Sequence, residues 1–397
     1  MTKSRDKAGI LKLTILSISL MLSAASAIAV TLPMIKNQFP DIAPATVESL
    51  VTIPSFTMLI FILLSSFIVK GIGKKKTVML GLTLAFIGGV IPVFATNFSV
   101  IYISRFILGA GTGIYNSLAV SLIGDYFDGE TQQKMLGYQT AFATLGSSFA
   151  TFLAGILVNV AWQYSYLIYF LTLPIVILVA LFLPADKKEI SNQDAASSKQ
   201  KQSVNFLVIF SCIMMFVFFI LIMTIFTKTS TLIVEMNYKN QGFLGTAFTI
   251  SSLIGAIGGF AYGHVRSALK QFTPVVALIL IGIVYFLIPS VNSMLMLTII
   301  LSGGMLVVSI FIPYMYDILL PGAPENSTNL AISLAMVSCN LGSFFSPFVV
   351  QWLGNLVGNT STAFSFTLGG IVFVIMACVF LLRGFKKNTS VVLENQK

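Results

Sequence analysis

The sequence predicts an all-α integral membrane protein, with about twelve transmembrane helices in two pseudo-symmetric six-helix bundles. Three observations lead there. Hydrophobic residues make up 56% of the 397 and charged ones only 9%, with a mean hydropathy of +0.95. That leaves too few polar groups to wrap a water-soluble core of this size. Apolar stretches of spanning length recur along the whole chain. They stop once, near the midpoint, at ADKKEISNQDAASSKQKQS (Ala185–Ser203). This polar run predicts a cytoplasmic linker over residues 185–203, joining a bundle of residues 1–184 to a second bundle and short tail over residues 204–397.

The first span, Leu13 to Leu32, follows a basic tail of Lys3, Arg5, Lys7 and Lys12. A secretory signal has a similar profile, with Ala25-Ser26-Ala27 in the place of a cleavage site. The run is long for a signal's apolar segment, however, and many equally long runs follow, so a retained span is expected. Further spans are predicted at 46–69, 77–95, 98–123, 135–160 and 163–183. Beyond the linker they fall at 204–234, 242–263, 272–290, 295–320, 328–353 and 363–382. None alternates apolar and polar at period two, which excludes an outer-membrane barrel.

The cations set an orientation. With an internal N-terminus, every Lys and Arg faces the cytoplasm except Lys36, Lys228 and Lys239 outside and Arg105 within a span. That asymmetry predicts two cytoplasmic termini and a multi-pass protein of the cell membrane. The net charge of +10 is therefore spent on topology, and no basic-aromatic module points to nucleic acid. Cys212, Cys339 and Cys378 lie in apolar runs far apart in sequence and read as small core residues. The halves also rhyme. Span two runs through SFIVKGIGKKK (Ser66–Lys76) into a basic turn, and its counterpart runs through GGFAYGHVRSALK (Gly258–Lys270) into another. Repeated halves about a cytoplasmic linker are the layout of a secondary transporter, with residues ~1–184 rocking against ~204–385.

At these residues the chain resembles the major facilitator superfamily. Ser66–Lys75 occupies the place of the family's G-x-L-a-D-r-x-G-r-k turn. Gly73 and the basic run fit it, while Ser66 replaces a glycine and Lys70 an acid. The resemblance implies a cytoplasmic gate at Lys70, Gly73, Lys74 and Lys75, with the usual acid-based lock altered by Lys70. IYISRFILGAGTGIYNSL (Ile101–Leu118) is similar to the family's R-x-x-x-G-x-G-x-G stretch through Arg105, Gly109, Gly111 and Gly113. Arg105, Gly109, Thr112 and Asn116 share one helical face, and a guanidinium about 10 Å inside the boundary must face protein or water. The resemblance gives Arg105 a part in proton coupling or as a cavity charge; bonding to backbone carbonyls is the alternative. In span five, Gly137, Gly146, Ala150-Thr151 and Ala154-Gly155 keep the spacing of the antiporter branch's G-x8-G-x3-G-P-x2-G-G without its proline. Asn340–Pro347 resembles its partner in span eleven and keeps the proline. Gly109, Gly113, Gly146 and Pro347 are accordingly assigned to helix packing.

Acids are few. Asp125 and Asp317 fall at equivalent cytoplasmic ends of spans four and ten, placed to meet the basic turns or to carry protons. Glu48 reads as a first-turn charge on span two. No acid sits clearly at mid-membrane, which argues for neutral, zwitterionic or anionic cargo. Lys228, in a stripe with Thr224 and Thr231, either joins Arg105 in an anion-tolerant cavity or snorkels outward. Thr112, Tyr115, Asn116, Gln139, Tyr314 and Asn340 are the candidate substrate-cavity residues, and Tyr138 and Tyr316 are also polar groups in apolar helices. There is no G-x-x-x-x-G-K-[ST] run for ATP and no clustered His, Asp or Glu for membrane-embedded catalysis. The expectation is a transporter without cofactor or metal, and not an enzyme. Its partners would be the bilayer, a small-molecule substrate and a proton (or Na⁺), and it would work as a monomer. Proton-coupled efflux of small amphipathic compounds leads; uptake or exchange of a small organic anion or other metabolite is the alternative, with a membrane enzyme or sensor remote.

Overall fold

The computed structural model describes residues 2–184, 203–236, 242–324 and 327–394. Every regular element among them is helical. In chain order they are α1 (Gly9–Gln38), α2 (Pro44–Ile72), α3 (Lys74–Phe94), α4 (Phe98–Tyr126), α5 (Gly129–Leu157) and α6 (Trp162–Phe182). There follow α7 (Phe206–Glu235), α8 (Gly242–Leu269), α9 (Thr273–Leu287), α10 (Met294–Gly322), α11 (Thr328–Val357) and α12 (Thr362–Glu394). The expected linker, residues 185–203, lies outside the described residues except for Ser203, as do Lys239 and Glu325.

Among the described residues eleven stretches are long and apolar enough to cross a membrane, and one of them, Gly242–Ser290, holds 49 residues. As one helix it would run about 74 Å, against a hydrocarbon core of about 30 Å. Lys270 breaks it. Its φ of 48° lies in the left-handed region that residues with a Cβ avoid, and α9 restarts with proline in its first turn. The described residues thus carry twelve spans, as the apolar runs predict. Their outward sides stay greasy, with Phe67, Phe94, Phe206 and Phe260 largely exposed. In water that surface would aggregate; in a bilayer it is the solvated face.

Helix ends follow local chemistry. Asn97, Asn205 and Ser293 each accept a hydrogen bond from a backbone N–H of the turn that follows, capping α4, α7 and α10. Gly73 (φ 85°) makes the abrupt joint between α2 and α3, a conformation glycine adopts without strain. α1 is not a plain α-helix: Ile18–Met21 and Ala24–Thr31 wind as 3₁₀ turns, whose geometry turns carbonyls away from ideal intrahelical partners.

By contacts the chain divides into two compact units. One comprises Met1–Gln200 with Lys239–Thr246 and Ser343–Pro347; the other comprises Lys201–Tyr238, Ala247–Gly342 and Phe348–Lys397. The first unit is built around α4. A Cβ on Gly109 would strike Thr57 Oγ1 and the Pro54 backbone of α2, and one on Gly113 the Met58 backbone. On the opposite side, a Cβ on Gly111 would strike Gly81 and Ala85 of α3. The alternate glycines of one motif therefore serve two seams. The second unit is held by rings instead. Phe218 of α7 stacks on Phe311 of α10 at 4.4 Å and meets Phe373 of α12 edge-on at 5.8 Å. Tyr285 of α9 packs against Phe373 at 5.0 Å, and its hydroxyl donates to the Leu221 carbonyl of α7. Such ring pairs add about 0.5–1.5 kcal/mol each beyond the area they bury.

Candidate functional site

Arg105 is the most heavily engaged side chain of the first unit, and the reason begins with a proline. Pro54 lies inside α2 and has no N–H, so the carbonyl four residues earlier, Leu50, has no intrahelical donor. Arg105 Nε donates to that carbonyl at 2.8 Å. Its Nη1 donates to the Tyr169 hydroxyl of α6 at 3.0 Å, and Nη2 to the Ala25 carbonyl in the 3₁₀ stretch of α1, also at 3.0 Å. The Tyr169 hydroxyl donates onward to the Ala24 carbonyl at 3.4 Å. The rings of Tyr166 and Tyr169 lie 5.8 and 5.7 Å from the guanidinium carbon. Arg105 is fully buried. Desolvating a cation costs several kcal/mol, and these charge-assisted bonds, about 1.5–3 kcal/mol each, offset it. One side chain from α4 thus fastens α1 at its 3₁₀ stretch, α2 at its proline and α6 within its opening 3₁₀ turns, Trp162–Leu171.

Each unit also carries an ion pair at the basic ends of its helices. Lys74 Nζ reaches Asp125 Oδ2 at 2.5 Å and Ser121 Oγ at 3.1 Å, closing the start of α3 onto the end of α4. Lys75 Nζ donates to the Ala180 carbonyl in the last turn of α6 at 2.8 Å, where the helix dipole favours a cation. In the second unit Arg266 Nε bonds Asp317 Oδ2 at 2.8 Å, with the guanidinium 5.2 Å over the Tyr314 ring. Both pairs join residues 51 apart in sequence. Lys70 is exposed, its ammonium 6.0 Å from the Phe67 ring.

The remaining predicted residues are dispersed. Thr112 is buried and its hydroxyl donates to the Leu108 carbonyl. Tyr115 is sealed inside the first unit. Asn116 is half-buried, its amide 3.8 Å from Met58 Sδ. Gln139 is half-buried on α5. In the second unit Tyr314 is buried beneath Arg266, and the Asn340 amide donates to the Met336 carbonyl at 2.9 Å. Gly146 lies against the Leu20 backbone of α1 and Gly155 against Gly245, whereas Gly137 faces open space. Pro347 is buried within α11. Glu48 differs from its expected place. α2 starts at Pro44 with no acid in its first turn, so Glu48 sits a turn deeper and is only 2% exposed. Lys228 is 9% exposed, so it lies inside and does not reach for the surface.

Residues 14–347 match the sequence profile of the Major Facilitator Superfamily. The chain belongs to that superfamily. Solved structures share its fold. The inward-open xylose transporter XylE from E. coli aligns with a TM-score of 0.72 at 12% identity, over 94% of this chain and 95% of its own. The POT family transporter PepTSo gives 0.70 at 13%, over 96% and 98%. A bacterial homolog of the human lysosomal transporter Spinster gives 0.68 at 14%, over 94% and 96%. As a superfamily member this is a multi-pass membrane transporter of a small molecule and not an enzyme.

The sequence singled out Arg105, Asp125 and Asp317, and named the basic turns for the acids and backbone carbonyls as one alternative for the arginine, but not the individual partners. Leu50 was legible in principle, since it stands four residues before an in-helix proline. Tyr169, Ala25 and Ala180 carry no local signal.

Proposed function

We propose that this member of the superfamily is a proton-driven exporter of small amphipathic compounds in the cytoplasmic membrane, working by alternating access with both termini inside. The observation that carries export is the use made of the antiporter-like spacing in α5. Gly146 lets α5 lie directly on the α1 backbone at Leu20, in the first of the two 3₁₀ stretches of α1, while Arg105 holds the second at Ala25. Arg105 then acts by position, its donors committed to Leu50, Tyr169 and Ala25. Lys74–Asp125 and Arg266–Asp317 brace the basic end of each unit. The half-buried Asn116, Gln139 and Asn340 are the proposed contacts for substrate. The shared fold of a D-xylose–proton symporter supports proton coupling as something this scaffold accommodates.

A second reading, uptake or exchange of a small organic anion, is favoured by Lys228. It is buried on α7, one turn after the buried Thr224, a cation inside the second unit. Everted vesicles with an internal acid load, a fluorescent proton reporter and a panel of cationic, neutral and anionic compounds separate the two. Proton release on adding a compound, absent from vesicles lacking the protein, is expected for export. Exchange of a labelled anion without proton movement would overturn export and install the second reading.

A further inference from the structure

We infer that Arg383, at the end of the apolar part of α12, binds the phosphate of an anionic phospholipid. Arg105 and Arg266 donate to protein acceptors, and Arg383 is placed differently. Its Nη1 is buried and, among the described residues, finds no acceptor. A sealed guanidinium nitrogen of this kind has lost its water without replacing it. What covers the group is a ring: its carbon lies 4.4 Å from the centre of Phe210 of α7. The ring face attracts the charge but offers no lone pair to the N–H.

The bed beneath Arg383 is aromatic and drawn from three helices of the second unit. Phe380 stands one turn earlier on α12, and its ring meets Phe210 at 5.5 Å, Phe311 of α10 at 6.0 Å and Tyr314 of α10 at 6.2 Å. Around Tyr314 two guanidiniums, Arg266 and Arg383, face one carboxylate, Asp317, which is already paired with Arg266. The charge in excess is that of Arg383. Three observations make its acceptor a lipid phosphate. Arg383 closes the apolar stretch Thr362–Arg383, where hydrocarbon gives way to headgroups. Its surroundings toward the surface are greasy: Leu382 is 66% exposed, and Phe206, whose ring lies 6.3 Å from that of Phe210, is 77% exposed. A soluble anion would sit beside bare hydrocarbon there, whereas a phospholipid covers those side chains with its own chains. The residue as a whole is half-buried, so a ligand can reach it, and its planar fork matches phosphate oxygens. Lys386 and Lys387 follow in sequence, which favours a headgroup of net negative charge.

The experiment titrates the full-length protein in detergent with phosphatidylglycerol or phosphatidylcholine and counts bound lipid by native mass spectrometry. Wild type is expected to hold phosphatidylglycerol more tightly than phosphatidylcholine. Arg383→Gln should weaken phosphatidylglycerol by about tenfold or more, the loss of one charge-assisted bond. Lys76→Gln, which removes an exposed cation from the first unit, should leave it unchanged. Equal losses in the two variants would reduce the effect to net charge and overturn the inference, as would equal binding of the two lipids by wild type. Displacement of phosphatidylglycerol by millimolar inorganic phosphate would make this a site for a soluble anion and overturn the lipid assignment. If Arg383→Gln cannot be purified, phosphatidylglycerol with a photoreactive group beside its headgroup is crosslinked to wild type. Labelling at the end of α12 or the start of α7 supports the inference; labelling only elsewhere overturns it.

Discussion

At the scale of single residues, Arg105 and Pro54 are the two halves of one arrangement. The proline strips the Leu50 carbonyl of its helical donor and the arginine supplies one from another helix. Truncating Arg105 leaves three acceptors without their donor, two of them buried, so Arg105→Ala is expected to cost about 3–5 kcal/mol, read as a lowered unfolding midpoint in detergent. Arg105→Lys should fall between, because an ammonium lacks the planar fork that reaches three acceptors at once. The proline makes the account testable without touching the arginine. Pro54→Ala restores an N–H for Leu50, so it should return about 1 kcal/mol in the Arg105→Ala background and far less in wild type. Equal effects in both backgrounds would show that Leu50 is not the shared acceptor. The sequence announced a buried arginine, since no cation sits cheaply in an apolar stretch. Leu50 could be read as the carbonyl left open by an in-helix proline, but the acceptors 64 and 80 residues away depend on tertiary packing.

At the scale of elements, the spans were legible because hydrocarbon thickness imposes a length and a composition on each. The 3₁₀ winding of α1 was not, since an apolar run reads alike whichever helix it forms. The glycines of α4 were readable as packing residues, but their division between α2 and α3 was not. That division predicts sharp contrasts between substitutions that look alike. Gly109→Ala must drive α2 and α4 apart, because its methyl meets the Pro54 backbone as well as Thr57 Oγ1; a loss of about 1–3 kcal/mol is expected. Gly137→Ala on α5 enters open space and should be neutral or gain about 0.5–1 kcal/mol from helix propensity. Thermal unfolding of the two variants in detergent checks both signs. Comparable losses would mean that the α2–α4 seam is loose.

At the scale of the whole molecule, the internal repeat shows in chemistry as well as in hydropathy. Lys74–Asp125 and Arg266–Asp317 are ion pairs of equal sequence separation, one in each unit. Their side chains are about a third or more exposed, so each contributes at most about 1 kcal/mol. Because the pairs share no residue, Asp125→Asn and Asp317→Asn should lower stability additively, and a double variant that departs from the sum would reveal coupling between units. The charge distribution makes a larger statement. The basic turns at Lys74–Lys76 and at Arg266–Lys270 recur at corresponding helix ends, and the polar run of residues 185–203 carries more cations. Translocating such segments is unfavourable, which predicts that they are cytoplasmic. In a variant with Cys212, Cys339 and Cys378 replaced, a membrane-impermeant maleimide should label Asn37→Cys in intact cells. It should label Ser198→Cys only after permeabilisation. The opposite pattern would invert the protein.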